Sequence, residues 1–154
     1  MPKIDRKNLE ILRELQSDAR VSNRAIAEKI DMSPSSTLER TRELERSGVV
    51  SGYHADVDLR ALGREIEALV SVRVSPKNRE RVDAVVGAIW ELPETIAVSL
   101  LSGEIDLIVH VAVASTDHLR DVVVDRIASI PGVVDERTSL LFEHRRKRVI
   151  DPLR

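Results

Sequence analysis

The hydrophobic rhythm of the chain changes near residue 65. Before it, apolar positions recur every three or four residues in three short runs, the spacing of helices that bury one face. In the first run Leu9, Leu12 and Leu15, with Ile11, form a stripe, and the polar segment 17–20 breaks it. Asp5 suits the N-cap of this helix, which is predicted to reach about Ser17, and Ile4 and Leu9 stand at the positions of a hydrophobic staple. Ser22 can cap a short second helix over residues 23–30, with Ile26 and Ile30 four apart on one face. Asp31-Met32 is a tight link into a third helix with marked ends. Ser33 suits its N-cap, Pro34 its first turn, and Gly48 the position just past its end. Leu38, Thr41 and Leu44 give that helix a narrow inward stripe, which leaves Ser35, Ser36, Thr37 and Arg40 off it. Two short helices joined by a tight turn make a helix-turn-helix, braced from behind by the first helix. The β-prone stretch 49–57, broken by Gly52, is predicted to add a hairpin or wing.

Beyond residue 65 the pattern alternates between two periods. Ala68, Val70, Val72 and Val74 alternate with Leu69, Ser71, Arg73 and Ser75, as in a strand with one apolar face. Val82, Val85, Val86 and Ile89 then mark a helix closed by Leu92-Pro93. Strands follow at 95–101 and 105–113, then a helix carried by Leu119, Val122, Val123, Ile127 and Ile130, then a strand over 133–142. Leu92-Pro93-Glu94 and Ile130-Pro131-Gly132 end the two helices alike, so the order βαββαβ reads as a ferredoxin-like unit. The predicted fold class is α+β: an N-terminal winged helix-turn-helix followed by a ferredoxin-like βαββαβ domain. The boundaries fall at residues 1–52, a linker or wing strand at 53–64, the second domain at 65–142 and a basic tail at 143–154. The stretch 105–113 is apolar on both faces apart from His110, so it is expected to be a central strand. Helices cover one face only, and a second copy's sheet is expected on the other.

Composition narrows the function classes. No cysteine is present among the 154 residues, which removes disulfides, thiol nucleophiles and thiolate zinc sites and suits a reducing cytoplasm. No apolar run approaches the ~20 residues of a membrane span, and the N-terminus M-P-K-I-D-R-K lacks the apolar core of a signal peptide. Tyr53, Trp90 and Phe142 are the whole aromatic complement, too few for a sheet that stacks RNA bases. The net charge of −2 is uneven: +1 over residues 1–64, −6 over 65–142 and +3 over 143–154. Nucleic acid is therefore favoured by the two ends and repelled by the middle. His54, His110, His118 and His144 show no metal-binding spacing, and nothing reads as a nucleophile elbow. No cofactor, metal or catalytic residue is expected.

The third helix carries the chemistry for double-stranded DNA. Ser35, Ser36, Thr37 and Arg40 can present hydroxyls and a planar guanidinium to base edges in a major groove, and Ser33 shares their leading end. Arg40 suits bidentate contact with guanine; the alternative is an ion pair with Glu39 or Glu43. Ser22, Asn23 and Arg24 suit a phosphate, beside the capping role of Ser22. Glu39 can accept from a cytosine amino group or weaken non-specific binding. The run Arg145-Arg146-Lys147-Arg148 is either a solvated edge or a phosphate contact.

These residues resemble those of the Lrp/AsnC "feast/famine" transcription regulators. The resemblance is carried by Ile4-Asp5, Leu12, Leu15 and Asp18-Ala19-Arg20, then Ser33-Pro34-Ser35, Arg40, Arg42-Glu43-Leu44-Glu45, Gly48-Val49-Val50 and Gly52-Tyr53. In the second half it is carried by Ser102-Gly103-Glu104-Ile105-Asp106, Ile130-Pro131-Gly132-Val133 and Arg137-Thr138. It implies a cytoplasmic regulator that binds DNA as a homodimer, assembles into tetramers or octamers, and senses an amino acid in its second domain. The corresponding effector residues are Ser102, Gly103, Glu104, Asp106 and Thr138. Gly103 would let a ligand approach the backbone, and Asp106 would pair with its ammonium; a plain β-turn with a solvent-facing Asp is the alternative. Two other readings stand beside it. Sirohaem decarboxylases are similar in both domains, although the leading face 35–40 argues against an enzyme. A DNA architectural protein would need no effector.

Overall fold

In the computed structural model, residues 4–153 are described; residues 1–3, part of the stretch read for a leader, and Arg154, the end of the basic tail, lie outside them. The chain forms two compact units. One runs up to Asp56 and is rejoined by the segment from Arg145 onward; the other is Val57–His144.

The first unit holds α1 (Arg6–Ser17), α2 (Asn23–Lys29) and α3 (Pro34–Arg46). Each begins on the cap its sequence announces. Asp5 accepts from the Asn8 N–H, Ser22 from Ala25 and Ser33 from Ser36, which satisfies amide donors that have no partner inside a helix. Asp31 takes a left-handed conformation, φ 52°, and turns the chain between α2 and α3. Gly48, φ 75°, stops α3 beyond its C-cap Ser47. Ile11, Ile26, Ile30 and Leu44 form the core, with Leu12, Leu15, Val21, Met32, Val49 and Val50 packed on it.

Two expectations change here. The inward stripe of α3 is Thr37, Thr41 and Leu44, spaced by four and three, and Leu38 lies at its margin. The expected hairpin over 49–57 is absent: no strand forms there among the described residues, and the segment bends at Val49 and Val50 and continues without regular structure. Tyr53 ties it back by donating to Glu45 at 2.8 Å. Burial and that carboxylate push the Tyr53 phenol up to about 12, so it remains a donor.

The second unit contains β1 (Ile66–Val74), α4 (Arg79–Trp90), β2 (Thr95–Leu100), β3 (Leu107–Val113), α5 (Thr116–Arg120) and β4 (Val133–Leu140). α5 continues as a π-helical segment, Asp121–Ile127. The four strands form one antiparallel sheet in the order β2-β3-β1-β4, with β3 central as expected. Ala68, Val70, Val72 and Val74 of β1 and Leu107, Val109, Val111 and Val113 of β3 face one way. They are fully covered by Val85 and Ile89 of α4 and by Leu119, Val122, Val123 and Ile127. Strand alternation puts Leu69, Ser71, Ile108 and His110 on the other face, where they are half-buried and no helix packs. Within one chain, therefore, no helix covers that face of β3, although Ala112 on it is buried. No described helix is long and apolar enough to cross a membrane.

Candidate functional site

The leading end of α3 gathers three hydroxyls. Ser33 Oγ donates to Ser36 Oγ at 2.8 Å and lies 3.2 Å from Ser35 Oγ, while accepting from the Ser36 amide. Ser35 and Ser36 are exposed. Thr37 is not: it is fully buried and donates to the Ser33 carbonyl at 3.0 Å. The fold thus places Thr37 inside the helix-turn-helix rather than on the face expected from its spacing.

Arg40 is also held away from the open face. Its guanidinium donates to Asp5 at 2.7 Å and to Asn8 at 2.9 Å, joining α3 to the cap and first turn of α1. The expected alternatives, Glu39 and Glu43, are not its partners; Glu43 pairs with Arg46 at 2.5 Å. The Asn8 amide first, and then Arg40, holds the Asp5 carboxyl below its usual range. Glu39 and Arg42 are exposed and make no ion pair among the described residues. Ser35, Glu39 and Arg42 follow one another at spacings of four and three, so they share an outer face. Arg42 joins that face through a spacing visible in the sequence.

At the start of α2, Ser22 serves its cap and Arg24 pairs with Glu28 at 3.1 Å, both side chains well exposed. The side-chain oxygen of Asn23 faces inward without a protein partner among the described residues.

In the second unit the hairpin between β2 and β3 is closed by Leu101 N–H on the Asp106 carbonyl at 2.8 Å. Asp106 is buried. Its amide donates to Val72, and its carboxylate accepts from the Val74 N–H at 2.8 Å and pairs with Lys77 at 2.9 Å. The Val74 amide, then Lys77, keeps this carboxyl below the ordinary range despite its burial. The side chain expected to meet a ligand's ammonium is therefore engaged within the sheet. Gly103, φ 136°, sits at the exposed tip with open space around it, and Ser102 and Glu104 are exposed beside it. Beside the hairpin lies a cavity of about 70 Å³ lined by Ser71, Arg73, Glu104, Ile105, Asp135 and Arg137. Of the five expected effector residues only Glu104 lines it. Thr138 is exposed on β4, beside Arg137.

A further polar centre lies at Glu94, whose partners are distant in sequence. Glu94 is buried, and its carboxylate accepts from His118 at 2.9 Å and from Arg126 at 3.0 Å. Burial pushes its carboxyl up, but the hydrogen bond from His118, the local backbone and the charge of Arg126 outweigh that and hold it below the usual range. No group of three or more metal-type ligands occurs among the described residues.

Residues 67–149 match the family described as the Lrp/AsnC ligand binding domain, and residues 4–51 match winged helix-turn-helix DNA-binding. The HTH-type transcriptional regulator AldR of Mycolicibacterium smegmatis is 36% identical over 93% of this chain and 82% of its own. The leucine-responsive regulatory protein of Salmonella typhimurium is 32% identical over 91% of this chain and 85% of its own. Among solved structures, AsnC of Escherichia coli superposes with a TM-score of 0.86 at 21% identity, covering 98% of this chain and all of that one. A transcriptional regulator of Neisseria meningitidis, solved as a complex with L-Met, superposes with a TM-score of 0.86 at 24% identity, covering 93% and 92%. These two share the fold.

Proposed function

This chain belongs to the Lrp/AsnC family of transcriptional regulators, and on that premise we propose an operator-binding regulator whose grip on DNA changes when an amino acid occupies the sheet domain. It is a DNA-binding regulator and not one of the enzymes that share the scaffold. In our reading it works in the cytoplasm.

On the DNA side, Ser35, Ser36, Glu39 and Arg42 offer the base-facing groups of α3. Ser22, Asn23 and Arg24 flank a phosphate, and Ser33 sets the helix start. Arg40 orients α3 against α1, and Thr37 packs beneath it.

On the effector side, one observation carries the reading: the cavity beside the hairpin presents both signs of charge. Arg73 and Arg137 suit a carboxylate, while Glu104 and Asp135 suit an ammonium, the two ends of a free amino acid. At about 70 Å³ it falls well short of the ~300 Å³ at which ligand pockets begin. A second copy would complete it, which fits homodimers assembling into tetramers or octamers. Ser102, Gly103 and Thr138 would then line the completed pocket, and Asp106 would hold the hairpin in shape. The relatives named for their response to leucine support an amino acid as the ligand class.

A thermal-shift screen of the twenty amino acids tests this. Binding to the native state raises apparent stability with ligand concentration. At least one amino acid should do so and should also shift DNA affinity. No response to any of the twenty would leave a DNA-binding protein without this effector class.

A further inference from the structure

The basic run 145–148 returns to the helix-turn-helix unit although sequence places it after the sheet domain. Polar clips hold it there. Arg13 donates to both Asp151 oxygens at 2.6 and 2.8 Å. Gln16 and Ile150 exchange two hydrogen bonds, the amide of Ile150 donating at 2.9 Å. Arg148 reaches Asp56 at 2.6 Å.

Apolar burial does not explain the attachment, since Ile150 is 66% exposed and Leu153 fully so. What the clips hold in place is charge. Arg148 and Arg13 spend theirs on Asp56 and Asp151. Arg146 and Lys147, just before the first of these clips at Arg148, are exposed and make no ion pair among the described residues.

We propose that the tail is a phosphate-binding arm of the DNA-reading unit, in which Arg146 and Lys147 contact the duplex backbone beside the site read by α3. This rests on DNA binding by the helix-turn-helix. Its anchors on α1, Arg13 and Gln16, lie eight and eleven residues beyond Asp5. At 1.5 Å per residue they stand roughly 12–17 Å along the helix from the end where Arg40 ties α3. Anchored away from that end, the arm would add affinity without sequence preference. The acidic sheet domain, −6 over residues 65–142, would repel the same phosphates, which makes a cation pair on the DNA-reading unit count for more.

The test compares full-length protein with the Arg146→Ala/Lys147→Ala double variant on a random-sequence 30-base-pair duplex, by fluorescence anisotropy at several salt concentrations. Each lost phosphate contact lowers the slope of log affinity against log salt by about 0.9. The double variant should flatten the slope by roughly 1.8 per bound protomer and bind several-fold more weakly at low salt. Its melting temperature should be unchanged, because both side chains are exposed. Asp151→Asn, which loosens the clip but keeps the cations, should weaken binding less and keep most of the slope. A double variant with wild-type slope and affinity would overturn the arm. Wild-type protein that fails to bind any duplex would instead remove the DNA reading itself.

Discussion

Arg40 and Asp5, 35 residues apart in sequence, meet at 2.7 Å, so the guanidinium best suited to guanine is turned back onto the cap of the first helix, α1. The pair fixes the pitch of α3 against α1. Arg40→Ala should therefore lower the melting temperature and weaken operator and random DNA by similar factors. Parallel titrations on both duplexes check this. A loss confined to the operator would return Arg40 to base reading.

Thr37 belongs to the core of the DNA-reading unit. Thr37→Val removes one buried hydrogen bond to the Ser33 carbonyl and should cost about 1 kcal/mol in urea unfolding. DNA affinity under native conditions should stay within twofold, whereas Ser36→Ala should change affinity with little effect on stability. The opposite pattern would put Thr37 at the DNA.

The hairpin residues should separate fold from sensing. Asp106→Ala strands the buried Val74 amide and should destabilise the protein by roughly 1–3 kcal/mol, which denaturant melts will show. Because the folded Asp106 carboxyl ionises below its usual range, its contribution is full above the unfolded value of 3.8 and fades as pH falls through the folded one. Gly103→Val meets open space but an unfavourable φ of 136°, so its strain is local. It should fold, bind DNA and respond less to the effector. A wild-type effector midpoint in Gly103→Val would move the pocket away from the hairpin.

Glu94 ties α5 and its π-helical extension to the start of β2. Glu94→Gln puts an amide where two donors converge and should cost roughly 1–3 kcal/mol at pH 7. The wild-type carboxyl is held below 4.5, so its stabilisation is present above that value and lost as pH falls through the folded pKa. Stability measured from pH 6 to pH 3 should converge for the two proteins. Parallel curves would place the acid sensitivity elsewhere.

The uncovered sheet face leads to a prediction about assembly. A fragment spanning residues 57–144, cut where the compact unit begins and ends, should dimerise through Leu69, Ile108 and their neighbours. Light scattering that gives a monomer across micromolar concentrations would sink it.

Local signals were read well from sequence, and contacts between distant residues were not. Asp5, Ser22 and Ser33 announce their helices because a cap acts within three residues. The alternation of Ala68, Val70, Val72 and Val74 is enough for β1, because a strand half-buried on one face must alternate. The βαββαβ order follows from such runs. Thr37 was misplaced because threonine reads equally well as a surface hydroxyl or a small core residue, and only packing decides. The partners of Arg40, Asp106 and Glu94 lie 24 to 35 residues away in sequence, beyond any periodicity. The missing hairpin shows the limit of propensity: residues 49–57 are β-prone, but within one chain they find no strand to pair with.

The Arg13–Asp151 clip has a consequence for how the protein is made. Its two halves are 138 residues apart, and at 5–20 residues per second a ribosome needs roughly 7–28 s to travel between them. During that interval the nascent chain can already hold a three-helix bundle, yet it lacks the segment from Arg145 onward that rejoins it. A nascent chain would therefore pack its three helices before Arg13 has a partner, and the clip would close only after Asp151 has been made.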